Sequence, residues 1–278
     1  MTAELVTIGT VSTDGPSIRA PGSALSRRNP TIKLALLFVV SLVLMFIFDP
    51  ITPLVLYLLA LGAIGATTRI PFRVFVMAHI PFLAFALSLV IVNALSRPGD
   101  VLWQSGALRV TAEGLSVGTA LALRVLVIGV LSIGFVLSTD SVALMTSLHQ
   151  HARLGSRLTY AVLAGYRMLE DLPGEWETIR QAHAVRAQLR QNGKPPRGLR
   201  QYGRAAFALL VLSIRKGERM AQSLESRGLG LTPRTTWRRI PLTHADWVMA
   251  GGVLATVGAV ILLSASLGYL HGFSALRT

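Results

Sequence analysis

Two arginines, Arg186 and Arg227, sit in matching surroundings. Ala182 precedes Arg186 by four places and Ala187 follows it, while Ser223 precedes Arg227 by four places and Gly228 follows. At 3.6 residues per turn, positions four apart share one helix face. The segments Val185-Arg186-Ala187 and Glu225-Ser226-Arg227-Gly228 therefore each present a guanidinium beside side chains small enough for close approach. The chemistry this offers is recognition. A planar fork pairs with carboxylates while its face packs, which favours arginine at interface centres. Arg227 also fits a plainer role, as a cation in the last turn of a helix that a glycine ends. Two similar displays imply two similar partner subunits.

Other chemistries are thinly represented. The only Gly-Lys pair, Gly193-Lys194, is followed by Pro195, so no P-loop for ATP is present. His-Glu-x-x-His does not occur, and His149 and His151 lack a third ligand nearby, which reads as surface histidine and not as a metal site. The absence of cysteine excludes disulfides and thiolate chemistry. No cofactor is expected. Glu170, Asp171, Glu175 and Glu177 form an acidic group; it balances nearby arginines, with a paired-carboxylate enzyme site as the weaker reading.

Composition identifies the solvent these residues face. The chain has 278 residues, 52% hydrophobic and only 14% charged, with mean hydropathy +0.56. Soluble proteins carry about 25% charge. The apolar residues come in long blocks, so an all-α, polytopic membrane protein is expected. Residues 1–28 read as a disordered polar tail and not as a cleavable signal. Four spans are expected within 29–138, at about 31–48, 51–67, 74–95 and 115–137. Residues 139–244 then hold most of the basic side chains on amphipathic helices, broken at Asn192-Gly193-Lys194-Pro195-Pro196. A last span, about 247–270, lies within 245–278.

The net charge of +14 is explained by location. Arg27, Arg28 and Lys33 precede the first span, Arg69 and Arg73 follow the second, and the basic region follows the fourth. Five spans with the amino end in the cytoplasm put every dense basic segment inside. The lipid bilayer is then the medium, and nucleic acid is not needed to account for the charge. Arg124 falls inside the fourth span. An arginine near mid-bilayer costs about 2.5–3.5 kcal/mol or more unless it faces protein or water. Backbone carbonyls, or polar groups of the third span such as Ser88 or Asn93, are its expected partners. A structural brace and a role in transport both fit.

The chain resembles the transmembrane T component of energy-coupling factor transporters, the vitamin and metal uptake branch of ABC transporters. The resemblance runs over about 25–270. It is carried by Asn29-Pro30-Thr31-Ile32-Lys33-Leu34, by Thr111-Ala112-Glu113-Gly114-Leu115 with Arg124 following, by Ser138-Thr139-Asp140, and by Leu224-Glu225-Ser226-Arg227-Gly228. Val185-Arg186-Ala187 keeps only the arginine of the family's first Ala-Arg-Gly motif, and Glu170 stands where the family has a proline after Arg167. The resemblance implies a non-enzymatic coupling subunit of a prokaryotic cell membrane. Its arginine motifs would seat in two cytosolic ABC ATPase subunits, and an integral-membrane S component would carry the vitamin or metal ion. A secondary transporter or channel is the alternative; that class calls for mid-bilayer acidic groups and repeated spans. A membrane-embedded enzyme is the third reading, supported only by the acidic group.

Overall fold

The computed structural model describes residues 23–67, 71–105, 108–186, 198–231 and 239–268. Of the expected tail, residues 1–22 lie outside these. So do Ala187 and the break at residues 192–196. The described chain is helical apart from one small ribbon, and it divides into two compact units. The first contains Ile32–Thr139 and Thr243–Thr278 with the residues up to Arg28; the second contains Asn29–Thr31 and Asp140–Leu242.

The first unit holds the helices long and apolar enough to cross a membrane. α1 (Pro30–Met45) and α2 (Ile51–Thr67) form a short hairpin. α3 (Phe72–Ser96) and α4 (Ala112–Ser138) follow, and α8 (His244–Ser266) closes the unit. Three of these, α3, α4 and α8, are long and apolar enough to cross a membrane, while α1 and α2 are shorter apolar helices. At 1.5 Å per residue α1 and α2 reach only about 25 Å against a hydrocarbon core of about 30 Å. The outer faces of these helices are apolar: Leu262 of α8, Met77 of α3 and Phe38 of α1 are 72%, 70% and 65% exposed. Large apolar side chains facing outward on several helices mean that the surrounding medium is lipid. Val40, Leu44, Ile47, Leu56, Val127, Val257 and Val260 make the buried core between α1, α2, α4 and α8.

Several sequence patterns now have physical reasons. Thr111 caps α4, accepting the Gly114 amide at 3.2 Å and donating to the Arg97 carbonyl at 3.0 Å. Glu113 accepts the Asp100 amide at 2.8 Å. Gly114 and Gly118 let α4 lie against α3: a Cβ at Gly114 would overlap the Asn93 carbonyl, and one at Gly118 would lie 3.1 Å from the Val90 Cα. This is the close approach that small residues four apart permit between membrane helices. The segment before α4, expected as a loop, contains an antiparallel ribbon of β1 (Val101–Ser105) and β2 (Leu108–Thr111). Its two strands are too short for a periodic pattern to betray them. α8 starts three residues before its expected boundary because Thr243 and Asp246 form a capping box.

The second unit contains α5 (Ser141–His151), α6 (Ser156–Val185) and α7 (Leu199–Ser226). Asp140 caps α5 by accepting the Ala143 amide at 2.9 Å. Buried Ser147 of α5 donates to Asn29 Oδ1 at 2.7 Å and bonds Thr31 Oγ1 at 2.7 Å. Asn29 and Pro30 thus have distinct tasks: Asn29 accepts the Thr31 amide and holds α5, and Pro30 is the first residue of α1, a position where its missing N–H costs nothing. His149 and His151 bond the carbonyls of Leu154 and Ile240, at 2.6 and 2.8 Å. No group of three metal-ligating side chains occurs among the described residues.

Candidate coupling motifs and the intramembrane arginine

α6 and α7 run antiparallel. Lys216 of α7 donates to Asp171 at 2.7 Å and to Glu175 at 2.8 Å on α6. Trp176 and Tyr202 stack with ring centroids 6.4 Å apart. Toward the other end of α6, Gly230 lies so close to Arg157 that a Cβ there would come within 2.6 Å of its Nε. The acidic group is therefore a structural partner of Lys216 and Arg180, which pairs with Glu177 at 3.0 Å. Hydrogen bonding to Asp171 first, then to Glu175, raises the Lys216 pKa above its usual value.

This arrangement puts the two motif arginines at opposite ends of the pair. Arg186 is the residue on which α6 ends, with φ −87° and ψ −7°. Arg227 is the residue on which α7 ends, and it lies beside the start of α6 through the Gly230–Arg157 approach. α6 alone is 30 residues, about 45 Å long. The sequence pattern places each arginine on a helix face with the small residue four before it; in the structure both are caps, one position past the last helical residue. Ala182, Val185, Arg186, Ser223, Glu225, Ser226 and Arg227 are all exposed. Val185 is 88% exposed, an apolar side chain with almost no cover. Neither guanidinium has a hydrogen bond or ion pair among the described residues.

The end of α7 is a Schellman cap. The Leu229 amide donates to the Leu224 carbonyl at 3.0 Å and the Gly228 amide to the Glu225 carbonyl at 2.9 Å. Gly228 has φ +76°, which a side chain resists. The glycine in this motif is thus a helix stop, as the plainer reading of the sequence has it. That role leaves the arginine itself unused: its side chain makes none of the capping bonds.

Arg124 resolves differently. Its guanidinium donates to the carbonyl of Ile47 at 2.6 Å and of Met45 at 3.4 Å, and lies 5.4 Å from the Phe48 ring centroid. The expected backbone carbonyls are there, but they belong to the end of the first span and not to the third. Neither Ser88 nor Asn93 is a partner; Asn93 donates to its own helix at Leu89. Sequence reasoning missed the matching contact. Lys33, near the start of α1, donates to the Ser138 carbonyl at 3.0 Å and to Ser138 Oγ at 3.2 Å. α1 and α4 each lay a cation on the other's C-terminal carbonyls, where the helix dipole is negative. Lys33 and Ser138 both stand in recognised sequence patterns, yet nothing in the sequence pairs them.

An α-helical bundle whose outer faces are apolar and whose longest helices can cross a membrane defines a polytopic membrane protein. Comparison with known proteins narrows this. The family profile CbiQ, described as cobalt transport protein, matches residues 21–237. The energy-coupling factor transporter transmembrane protein of Thermosediminibacter oceani is 25% identical over 252 residues, covering 87% of this chain and 94% of that protein. Its counterpart in Ruminiclostridium cellulolyticum is 21% identical with the same coverage. A putative ABC transporter ATP-binding protein of Bifidobacterium longum is 24% identical over 93% of this chain, a match that takes up 34% of that longer protein. The chain belongs to the CbiQ family, the transmembrane T components of energy-coupling factor transporters.

Proposed function

We propose that this chain couples ATP hydrolysis on two cytosolic ABC ATPase subunits to an integral-membrane S component that takes up a vitamin or transition-metal ion. The observation that carries this reading is the pair of exposed arginines, without an ion pair among the described residues, each ending a long helix at opposite ends of one antiparallel pair. Anchors so far apart suit two subunits rather than two contacts on one. Val185-Arg186 would enter one subunit and Ser226-Arg227 the other, with Ala187 and Gly228 leaving room at the contact. The Bifidobacterium longum relative supports the same association, since a sequence like this one occupies a third of a protein named for ATP binding. The chain itself then performs no hydrolysis. The dense basic segments face the cytoplasm in this reading, with the amino end inside.

The test is copurification of the ATPase subunits with variants of the full chain, read beside substrate uptake in vesicles. Removing one partner of a desolvated charge pair costs about 2–5 kcal/mol. Arg186→Ala or Arg227→Ala alone is expected to weaken coupling while the other anchor holds the complex at high effective concentration. The double variant is expected to lose the ATPase subunits. Wild-type copurification and uptake in the double variant would overturn the reading.

A further inference from the structure

The first unit contains an apolar groove of about 800 Å³ between the α1–α2 hairpin, α4 and α8. Its α8 wall runs from His244 to Val257, about 20 Å at 1.5 Å per residue. One end is closed by Val40, Leu56, Val127 and Val257, all members of the buried core. The other end opens among Arg28, Lys33 and His244. Lys33 is committed to Ser138. Arg28 is half-buried, His244 is exposed, and neither has an ion pair among the described residues.

We infer that this groove is a binding site for one anionic phospholipid. An acyl chain lies along α8, and the headgroup phosphate is held by Arg28 with His244 as a second donor. Two features select this occupant. The groove is apolar along its length and cationic at its mouth only, which matches an amphiphile with a negative head. Its length also suits one leaflet, about 15 Å of a core about 30 Å thick. Basic pockets between membrane helices recognise anionic headgroups in this way. A metal ion or polar vitamin finds no complementary ligands inside it. Neither Arg186 nor Arg227 lines the site, and it does not depend on their role.

Gly252 lines the groove, and nothing stands within 4 Å of a Cβ built on it. Gly252→Phe therefore places its Cβ without a clash and directs a ring from the groove wall. The experiment reconstitutes the full chain with dioleoyl phosphatidylglycerol or dioleoyl phosphatidylcholine and counts retained lipid by native mass spectrometry. The wild type is expected to retain one phosphatidylglycerol, with a preference over phosphatidylcholine of about tenfold. Gly252→Phe is expected to release it with the thermal transition preserved. Arg28→Gln with His244→Gln is expected to keep a lipid and lose the preference. Ala63→Phe, which enters from the α2 wall, gives the same readout should Gly252→Phe fail to fold. Equal retention of phosphatidylglycerol by the filled variants, no headgroup preference in the wild type, or a copurifying polypeptide displaced by Gly252→Phe would each overturn the assignment.

Discussion

Arg227 and Gly228 are neighbours with separate duties. Gly228 turns the chain at φ +76° to close the Schellman cap, and a Cβ there would lie 3.0 Å from Leu231 Cδ1. A left-handed conformation costs an L-residue about 1–2 kcal/mol. Gly228→Ala is therefore expected to lower thermal stability by about that amount and to fray the end of α7, measured by hydrogen exchange at Leu229. The Arg227 side chain contributes no capping bond, so Arg227→Lys is expected to leave stability unchanged. If the guanidinium docks as proposed, lysine restores ATPase copurification poorly, because it lacks the planar fork. Full restoration by lysine would return Arg227 to the role of an ordinary helix end.

Among elements, α1 depends most on polar clamps. It is short, and its cross-links to α4 are two cations laid on opposite helix ends: Lys33 on Ser138, and Arg124 on Ile47 and Met45. Arg124→Leu strips charged donors from those carbonyls, a loss of about 1.5–3 kcal/mol for bonds to a charged group. The expected result is a lower melting temperature in detergent, with Arg124→Lys partly restoring it through one retained donor. Normal stability with lost uptake would instead assign Arg124 to transport. α6 and α7 are joined by Lys216, whose pKa its carboxylate partners raise above the usual 10.5. A cation whose folded pKa is raised stabilises fully below its unfolded pKa and loses that contribution as pH rises through the folded one. The stability difference between wild type and Lys216→Met should therefore be flat from about pH 7 to about pH 9 and shrink at higher, strongly alkaline pH. A difference that vanishes already near neutrality would show that Lys216 acts by packing alone.

For the whole molecule, the open matter is which way the bundle faces. The proposed orientation puts the amino end and the basic helical unit in the cytoplasm and the carboxyl end outside. Reporter fusions at Gly193 and at the carboxyl terminus are expected to report opposite compartments. A shared compartment would mean that α8, the candidate span between the two fusion points, does not cross the membrane, and would overturn the five-span orientation.

The all-α membrane class was determined by the sequence alone, because long apolar blocks in a chain with few charges have no other stable solvent than lipid. The pattern at Thr111 was also legible as the entry to a span, since its side chain serves the amide three residues on and local bonds need only local sequence; Asp140 stood in the pattern closing that span, and its capping of α5 was not read. So was the family, through short patterns whose residues cap helices or let them approach. What the sequence could not supply were pairings across distance. Lys33 and Ser138 are 105 positions apart, and Arg124 and Ile47 are 77 apart. Which carbonyls a buried cation reaches depends on how far one helix slides along another, and no helical period encodes that offset. The same holds for Arg186 and Arg227. Their matching surroundings were plain in the chain, but only the antiparallel packing of α6 on α7 set them at opposite ends of one unit.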